Sequence, residues 1–179
     1  EGDRSSSVAR KPGADTRLLF GELDLSLIGG ARVFHFGTLS LTDEPVRTTT
    51  QKAVAYAREK GKMITFDPNL RPPLWKSREE AREQILWGLS RADVVEFLWG
   101  ITDETEAAGK LLNEYGVRLA MITLGPKGAY LANRNGGARA VCPPVKPIDT
   151  TGAGDIFGGS AVARLLKTGK EPDCLTVEE

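Results

Sequence analysis

The sequence predicts an α/β fold in which a mostly parallel sheet is flanked by helices. From residue 31 onward, short β-branched and aromatic runs alternate with stretches of helical periodicity. Several of the short runs are almost continuously apolar, which is typical of parallel strands that are buried on both faces. We therefore expect right-handed strand–helix–strand crossovers, with helices over both faces of the sheet.

Each element follows from local signals. The predicted strands share apolar, β-branched or aromatic composition, and they are Ala31–Phe36, Lys62–Phe66, Asp93–Phe97, Val117–Thr123 and the hairpin pair Gly128–Ala132 and Ala138–Val141. The sequence Asn135-Gly136-Gly137 predicts the turn of that hairpin. The predicted helices begin at proline, capping or glycine residues, and they are Pro45–Lys60, Ser77–Arg91, Thr102–Tyr115 and Gly152–Lys167. The polar residues 1–16 predict either a flexible arm or a hairpin whose second strand begins near Arg17.

Composition and charge exclude several classes of function. The 179 residues contain 24 Lys plus Arg and 24 Asp plus Glu, so no net charge attracts nucleic acid or an anionic membrane. With no membrane-length apolar stretch and no visible signal peptide, we expect a soluble cytoplasmic protein. Cys142 and Cys174 form no CxxC pair, and His35, the single histidine, is expected to be structural at a strand end. Carboxylates, backbone amides and bound ions must therefore provide the chemistry.

The most informative segment lies at the start of the last predicted helix. In open α/β sheets ligands bind at the carboxyl ends of the strands, and Gly152 and Gly154 allow a tight turn there. Free amides of Ala153, Gly154 and Asp155 at a helix N-terminus would bind an anion. A carboxylate at Asp155 fits such a site if it removes a proton from an attacking hydroxyl, as phosphoryl transfer requires. The alternative is a turn and a helix cap without catalytic role.

The heptapeptide Asp149–Asp155, DTTGAGD, resembles the C-terminal signature of the PfkB (ribokinase-like) carbohydrate kinases. The resemblance implies a ribokinase-like fold in which Asp155 is the catalytic base. It also implies that Gly152, Ala153 and Gly154 form the anion hole for the γ-phosphate. By the same resemblance, Asp149 and Thr151 would be ligands of a monovalent cation, potassium.

Other segments are similar to the same family, and in particular to fructokinases. The segment Thr123–Gly128, TLGPKG, resembles the turn that borders the nucleotide in this family. The resemblance implies that Thr123, Gly125 and Gly128 contact ATP together with Gly154. The alternative is that the segment is only the entry to a hairpin. Asp67–Trp75 resembles the fructokinase D-P-N-x-R-x-x-L-W segment. There Asn69 would bind a phosphate or a water on Mg²⁺ and Arg71 would neutralise phosphate charge, unless the segment is only a proline-rigid loop. The segments Phe34–Leu41 and Arg10–Asp15 resemble the fructokinase sugar-pocket run and lid strand.

Taken together, the resemblance implies an ATP-dependent sugar kinase that uses Mg²⁺ and potassium and phosphorylates D-fructose at its 6-hydroxyl. Ribokinase, adenosine kinase or 2-keto-3-deoxygluconate kinase activity is an alternative, and so is a non-catalytic kinase-like binding or regulatory protein. We expect residues 1–30 to be part of a β lid, through which a homodimer would form, and residues 31–179 to be the kinase domain.

The chain also departs from the family pattern. Its residues lack the Gly-Gly-Asn segment near the family's N-terminus, the N-x-x-E motif after Asp93–Phe97, and the elements that follow the last helix. We expect the missing parts in a larger polypeptide, with an intact mass above 19.3 kDa.

Overall fold

The fold is built on one six-stranded sheet. The computed structural model describes residues 13–97, 103–146 and 148–179. The strands are β1 (Val33–Gly37), β2 (Met63–Asp67), β3 (Val94–Phe97), β4 (Leu119–Thr123), β5 (Ala129–Asn133) and β6 (Gly136–Ala140). They lie in sequential order, with β1 to β4 parallel and β5 and β6 antiparallel. The predicted α/β class with a mostly parallel sheet is confirmed.

Five helices accompany the sheet in the described part of the chain. They are α1 (Leu25–Gly30), α2 (Val46–Glu59), α3 (Arg78–Leu89), α4 (Glu104–Glu114) and α5 (Ala153–Thr168). The Ser77 side chain caps α3 by accepting a hydrogen bond from the Glu80 amide at 3.0 Å. The carboxylate of Glu80 pairs with Arg47 of α2 at 2.6 Å, so the residue also links two neighbouring helices. The four helices predicted from the sequence are confirmed.

The two faces of the sheet are covered unequally. Side chains alternate along a strand, so Val95 and Ala120 lie in the larger core cluster with residues from α2, α3 and α4. Their neighbours Val94 and Met121 lie on the opposite face, in a small cluster with Leu165 of α5. The crossovers α2, α3 and α4 therefore share one face, and α5 packs on the other.

Two local expectations are corrected. A strand near Arg17 is wrong, because Ala14–Thr16 and Phe20–Glu22 are 3-10 turns and no strand lies in residues 13–32. Residues 1–12, which include the first half of the expected lid strand Arg10–Asp15, lie outside the described residues. In the β5–β6 hairpin, Asn133 pairs with Gly136, so the turn consists of Arg134 and Asn135 rather than Asn135-Gly136-Gly137. Gly136 takes a φ of +137° inside the strand, where a side chain would be strained.

A search of the described residues for a helix that is both long and apolar enough to span a bilayer finds none.

Candidate active site

The described structure places Asp155 in a cavity over the four parallel strands of the sheet. The cavity has a volume of about 290 Å³ and lies between the sheet and the first turns of α5. Its titratable lining residues come from four elements, and they are His35, Asp67, Glu96 and Asp155. Because parallel strands end at one edge, residues that are 29 or more positions apart meet there.

Three carboxyl groups share this cavity and interact through their charges. Burial raises the pKa of Asp67 above its usual value, against a hydrogen bond from the Asn69 amide, and the charge of Asp155 raises it further. Burial raises the pKa of Glu96 to about 7, and the charges of Asp67 and Asp155 contribute to the same shift. A buried carboxyl group between two other carboxylates avoids ionisation because its charge would be poorly solvated and repelled. Asp155 itself is exposed, so a substrate hydroxyl can reach it.

Glu96 is the site residue that sequence reasoning left without a role. It is only 7% exposed, and its carboxylate lies against the first turns of α5. A Cβ on Gly158 would be 2.0 Å from Glu96 Oε2, so the carboxylate occupies the space that this glycine leaves open. The sequence did contain a signal for this residue, because Glu96 is the acidic residue in an otherwise apolar strand. The segment that follows, where the sequence lacks the family's N-x-x-E motif, includes residues 98–102, which lie outside the described residues.

The N-terminus of α5 provides the backbone part of the site. Gly152 takes a left-handed conformation, with φ +74°, and Ile156 makes the first helical hydrogen bond to Gly152 O at 2.9 Å. The amides of Gly152, Gly154 and Asp155 have no hydrogen-bond partner among the described residues. The expectation for Ala153 is corrected, because its amide already donates to Thr150 O at 3.2 Å. Unpaired amides at a helix N-terminus favour an anion.

The predicted phosphate-binding loop lies beside Asp67. The Asn69 amide donates to Asp67 Oδ1 at 2.9 Å, and Asn69 has a positive φ of 31°. Arg71 donates through Nη1 to the Asn69 side chain and remains exposed. The charge of Arg71 acts on the pKa of Asp67, which places the guanidinium near the cavity, although neither Asn69 nor Arg71 lines it. Thr38 fixes the loop from β1 by donating to the Pro68 carbonyl.

The predicted nucleotide turn follows β4. Gly125 and Gly128 both have positive φ, and a Cβ on Gly128 would lie 1.9 Å from Ala140 O, so glycine is required there. The Thr123 hydroxyl is buried without a hydrogen-bond partner, and an orphaned hydroxyl of this kind is expected to bind a ligand or water. These residues do not line the Asp155 cavity. They border a neighbouring part of the same sheet edge, as expected of a separate subsite.

The expected cation ligands lie just before α5. Asp149 Oδ1 accepts a hydrogen bond from the Thr151 amide at 2.7 Å, and both residues are exposed. Within the described residues no three His, Cys, Asp or Glu side chains are arranged to hold a metal ion. The potassium assignment of Asp149 and Thr151 therefore stays a prediction.

His35 is in the middle of β1 rather than at a strand end, and its side chain is exposed towards the cavity. Its Nδ1 lies 2.9 Å from the Thr65 hydroxyl of β2. That hydrogen bond fits the structural role expected of this residue.

The sheet and the glycine-initiated α5, with a carboxylate in its first turn, form a ribokinase-like α/β fold. The family model described as "pfkB family carbohydrate kinase" matches residues 2–177, and the chain belongs to that family.

Individual relatives make the resemblance more specific. Fructokinase-1 of Zea mays is 40% identical over 174 residues, which cover 93% of this chain and 54% of the maize protein. The fructokinase of Vibrio cholerae O395, solved in a fructose, ADP and calcium ion bound form, is 32% identical with a TM-score of 0.76 over 87% of this chain and 52% of that one. The aminoimidazole riboside kinase of Salmonella enterica is 30% identical with a TM-score of 0.71 over 83% of this chain and 52% of that one. The chain thus spans about half the length of the proteins it matches.

Proposed function

We propose that this chain is part of an ATP-dependent fructokinase that transfers the γ-phosphate to the 6-hydroxyl of D-fructose. The observation that carries the proposal is the juxtaposition of an exposed carboxylate, Asp155, with unpaired backbone amides at the same helix terminus. A base and an anion-binding site next to each other match the needs of phosphoryl transfer. Fructose as the acceptor is supported by two relatives. The maize protein is named a fructokinase, and the Vibrio fructokinase was solved with fructose bound.

In this proposal Asp155 takes the proton of the 6-hydroxyl at a carboxylate oxygen. The resulting oxygen attacks the γ-phosphorus, the bond to the β-phosphate oxygen breaks, and ADP leaves. The amides of Gly152, Gly154 and Asp155 donate to the phosphoryl oxygens as negative charge develops. Arg71 neutralises charge on the phosphates. Thr123, Gly125 and Gly128 form the nucleotide side of the sheet edge.

Mg²⁺ fits this site as an ion that arrives with the nucleotide. It is commonly bound by one or two carboxylates and by substrate phosphates, and the described residues offer no metal cage of their own. Asn69 would orient a water on the ion, and the ion would neutralise charge on the phosphates. Asp149 and Thr151 would hold potassium through carboxylate and carbonyl oxygens beside the anion hole.

Replacing Asp155 tests the proposed base. For Asp155→Asn we expect kcat to fall at least about 100-fold, because general-base catalysis contributes about 10²–10⁴. The KM for fructose should stay nearly unchanged, since asparagine keeps the size and the hydrogen-bonding capacity of the side chain. A coupled ADP-release assay with ATP, Mg²⁺ and K⁺ measures both constants.

The matched control is Asp24→Asn. Asp24 caps α1 by accepting from the Ser26 amide at 2.9 Å, and asparagine is an equally good cap, so activity should be retained. A near-normal kcat for Asp155→Asn would reject Asp155 as the base.

Acceptor identity is tested separately with a panel of fructose, ribose, adenosine, 2-keto-3-deoxygluconate and aminoimidazole riboside. The highest kcat/KM is expected with fructose, because the fructokinase-like segments 34–41 and 67–75 contain His35 and Asp67, which line the cavity. A preference for a riboside would keep the kinase proposal and reject the acceptor. Nucleotide binding without turnover on any acceptor would favour a regulatory protein.

A further inference from the structure

A second concave site lies at the opposite end of the sheet from Asp155. It is a groove with a volume of about 510 Å³, within the roughly 300–1,000 Å³ of small-molecule sites. We define the amino-end groove by its charged lining residues, which are Arg32, Arg58, Lys62, Asp93, Arg118, Lys170 and Glu171. Five of these seven are cationic, although the whole chain has no net charge. The concentration of positive charge is therefore local to this face.

Strand register brings the cations together. Val33 of β1 pairs with Met63 of β2, so Arg32 and Lys62 stand side by side just before these strands. The Met63 amide donates to Arg32 O at 3.3 Å, and neighbouring strands are about 4.8 Å apart. The two cationic residues therefore leave the backbone at adjacent positions of the same end of the sheet.

Arg32, Arg58 and Lys62 are not neutralised by acidic partners. Arg32 donates to Leu166 O at 3.2 Å, and Arg58 donates to Arg91 O at 2.5 Å; both acceptors are neutral carbonyl groups. Among the described residues no carboxylate lies within salt-bridge distance of either guanidinium or of Lys62 Nζ. These three residues form the uncompensated set of the groove.

The other charged residues of the groove are already engaged. Arg118 pairs with Glu171 at 2.9 Å and with Asp173 at 2.5 Å, and Lys170 pairs with Glu179 at 2.6 Å. Asp93 accepts a hydrogen bond from the Ile64 amide at 2.8 Å. The internal pairs engage Arg118 and Lys170, so Arg32, Arg58 and Lys62 contribute three unpaired positive charges against the single carboxylate of Asp93. Guanidinium groups bind phosphate oxygens in a bidentate manner.

We propose that the amino-end groove binds a small ligand that carries a diphosphate or two phosphate groups, held by Arg32, Arg58 and Lys62. Backbone amides contribute little, because the amides of Gly61 and Lys62 already donate to Arg58 O and Ala57 O. Recognition therefore depends on the three side chains. The site is distinct from the α5 N-terminus, which is at the carboxyl edge.

The test uses inorganic pyrophosphate and the acetylation rate of individual lysines. The chain is acetylated with and without pyrophosphate in the presence of a chelator, and the rate at each lysine is read by mass spectrometry. Lys62 should be protected at least 5-fold at saturation. Lys110, an exposed lysine of α4 that pairs with Glu106, should react at the same rate in both samples. Protection of both lysines to the same extent, or of neither, would overturn the proposal.

Variants separate this groove from the phosphate site at α5. Arg58→Gln should abolish the protection of Lys62, whereas Arg82→Gln, an exposed arginine of α3 outside the groove, should leave it intact. Thermal unfolding of both variants checks that they are folded. Equal protection in Arg58→Gln and the parent would remove this residue from the site and overturn the proposal. Repeating the protection with ADP and with fructose 1,6-bisphosphate distinguishes a nucleotide from a sugar bisphosphate as the source of the two phosphates.

Discussion

The ionisation of Glu96 links the candidate site to pH. In the folded chain burial raises the pKa of this carboxyl group to about 7, from an ordinary value of 4.5. Between these values the unfolded chain has lost the proton while the folded chain keeps it. The free energy of unfolding contributed by this group therefore falls as pH rises from 4.5 to about 7 and then stays constant.

Glu96→Gln should remove that pH dependence. Glutamine keeps the shape of the protonated acid and does not ionise, so the variant should gain stability relative to the parent as pH rises from 5 to 8. The relative gain is at most about 3 kcal/mol, because each pKa unit corresponds to about 1.4 kcal/mol. Urea unfolding at several pH values measures the difference between the two proteins. A constant difference over this range would show that Glu96 is ionised equally in the folded and unfolded chains.

At the scale of single residues, the sequence singled out Asp155 as a candidate and gave Glu96 no role. Asp155 lies in a contiguous motif whose glycines and carboxylate are read directly from the chain. The role of Glu96 depends on α5 crossing over β3, about 60 positions later in the sequence. No local pattern contains that contact. The hydrogen bond of the Ala153 amide was missed for a different reason: its partner Thr150 is only three positions away, but the bond depends on the conformation of the turn.

At the scale of elements, α3 packs against β2 through a glycine. A Cβ on Gly88 would be 2.5 Å from the Cζ atom of Phe66, a ring that is itself 1% exposed. Phe66 stacks on Phe36 with a centroid separation of 4.6 Å, so it has little freedom to move. The glycine therefore allows the helix to approach the sheet closely.

Gly88→Ala should destabilise the chain by about 1–3 kcal/mol, the usual cost of overpacking a core. Gly109→Ala is the matched control, because Gly109 is in α4 and a Cβ there meets nothing within 4 Å. Alanine at that position should stabilise the protein by about 0.5–1 kcal/mol through helix propensity. Denaturant unfolding of both variants tests the prediction. Equal effects of the two substitutions would contradict the close approach of α3.

Most elements could be predicted from local signals, and the exceptions have physical causes. Helix α2 ends before Gly61, whose φ of +65° is the left-handed stop that a glycine predicts. Helix α1 was not predicted, because six residues that include two glycines are too short a stretch for a helical period to be recognised. Pairing of Asn133 with Gly136 moved the hairpin turn by one position, since cross-strand register and not turn propensity decided it.

At the scale of the whole molecule, stability is distributed unevenly between the two faces of the sheet. The larger core cluster lies under α2, α3 and α4, whereas Gly158 and Leu165 are the buried residues of the 16-residue helix α5. An element with little buried apolar area opens at a lower free energy than the core. Hydrogen exchange should therefore be faster for interior amides of α5 than for those of α2.

Native-state exchange followed by mass spectrometry measures this order, and Leu165→Ala should widen the gap by accelerating α5 selectively. Equal exchange rates in α2 and α5 would contradict this prediction, because they would indicate that the two faces of the sheet are equally stable.

A ligand at the anion site should slow exchange in the first turn of α5, because binding to the folded state opposes local opening.

By itself the sequence determined the succession of strands and helices, the carboxyl edge of the sheet as the place to look for a site, and the glycine turn with its carboxylate at the start of the last helix. These follow from periodicity, glycine conformation and short motifs, which act over a few neighbouring residues. Only the tertiary structure decided that Asp67, Glu96 and Asp155 share one cavity, that α5 alone packs on its face in the described chain, and that Arg32, Arg58 and Lys62 meet at the amino end of the sheet. Those outcomes depend on strand order and helix placement, because charges and buried volumes from distant segments interact only after the chain has folded.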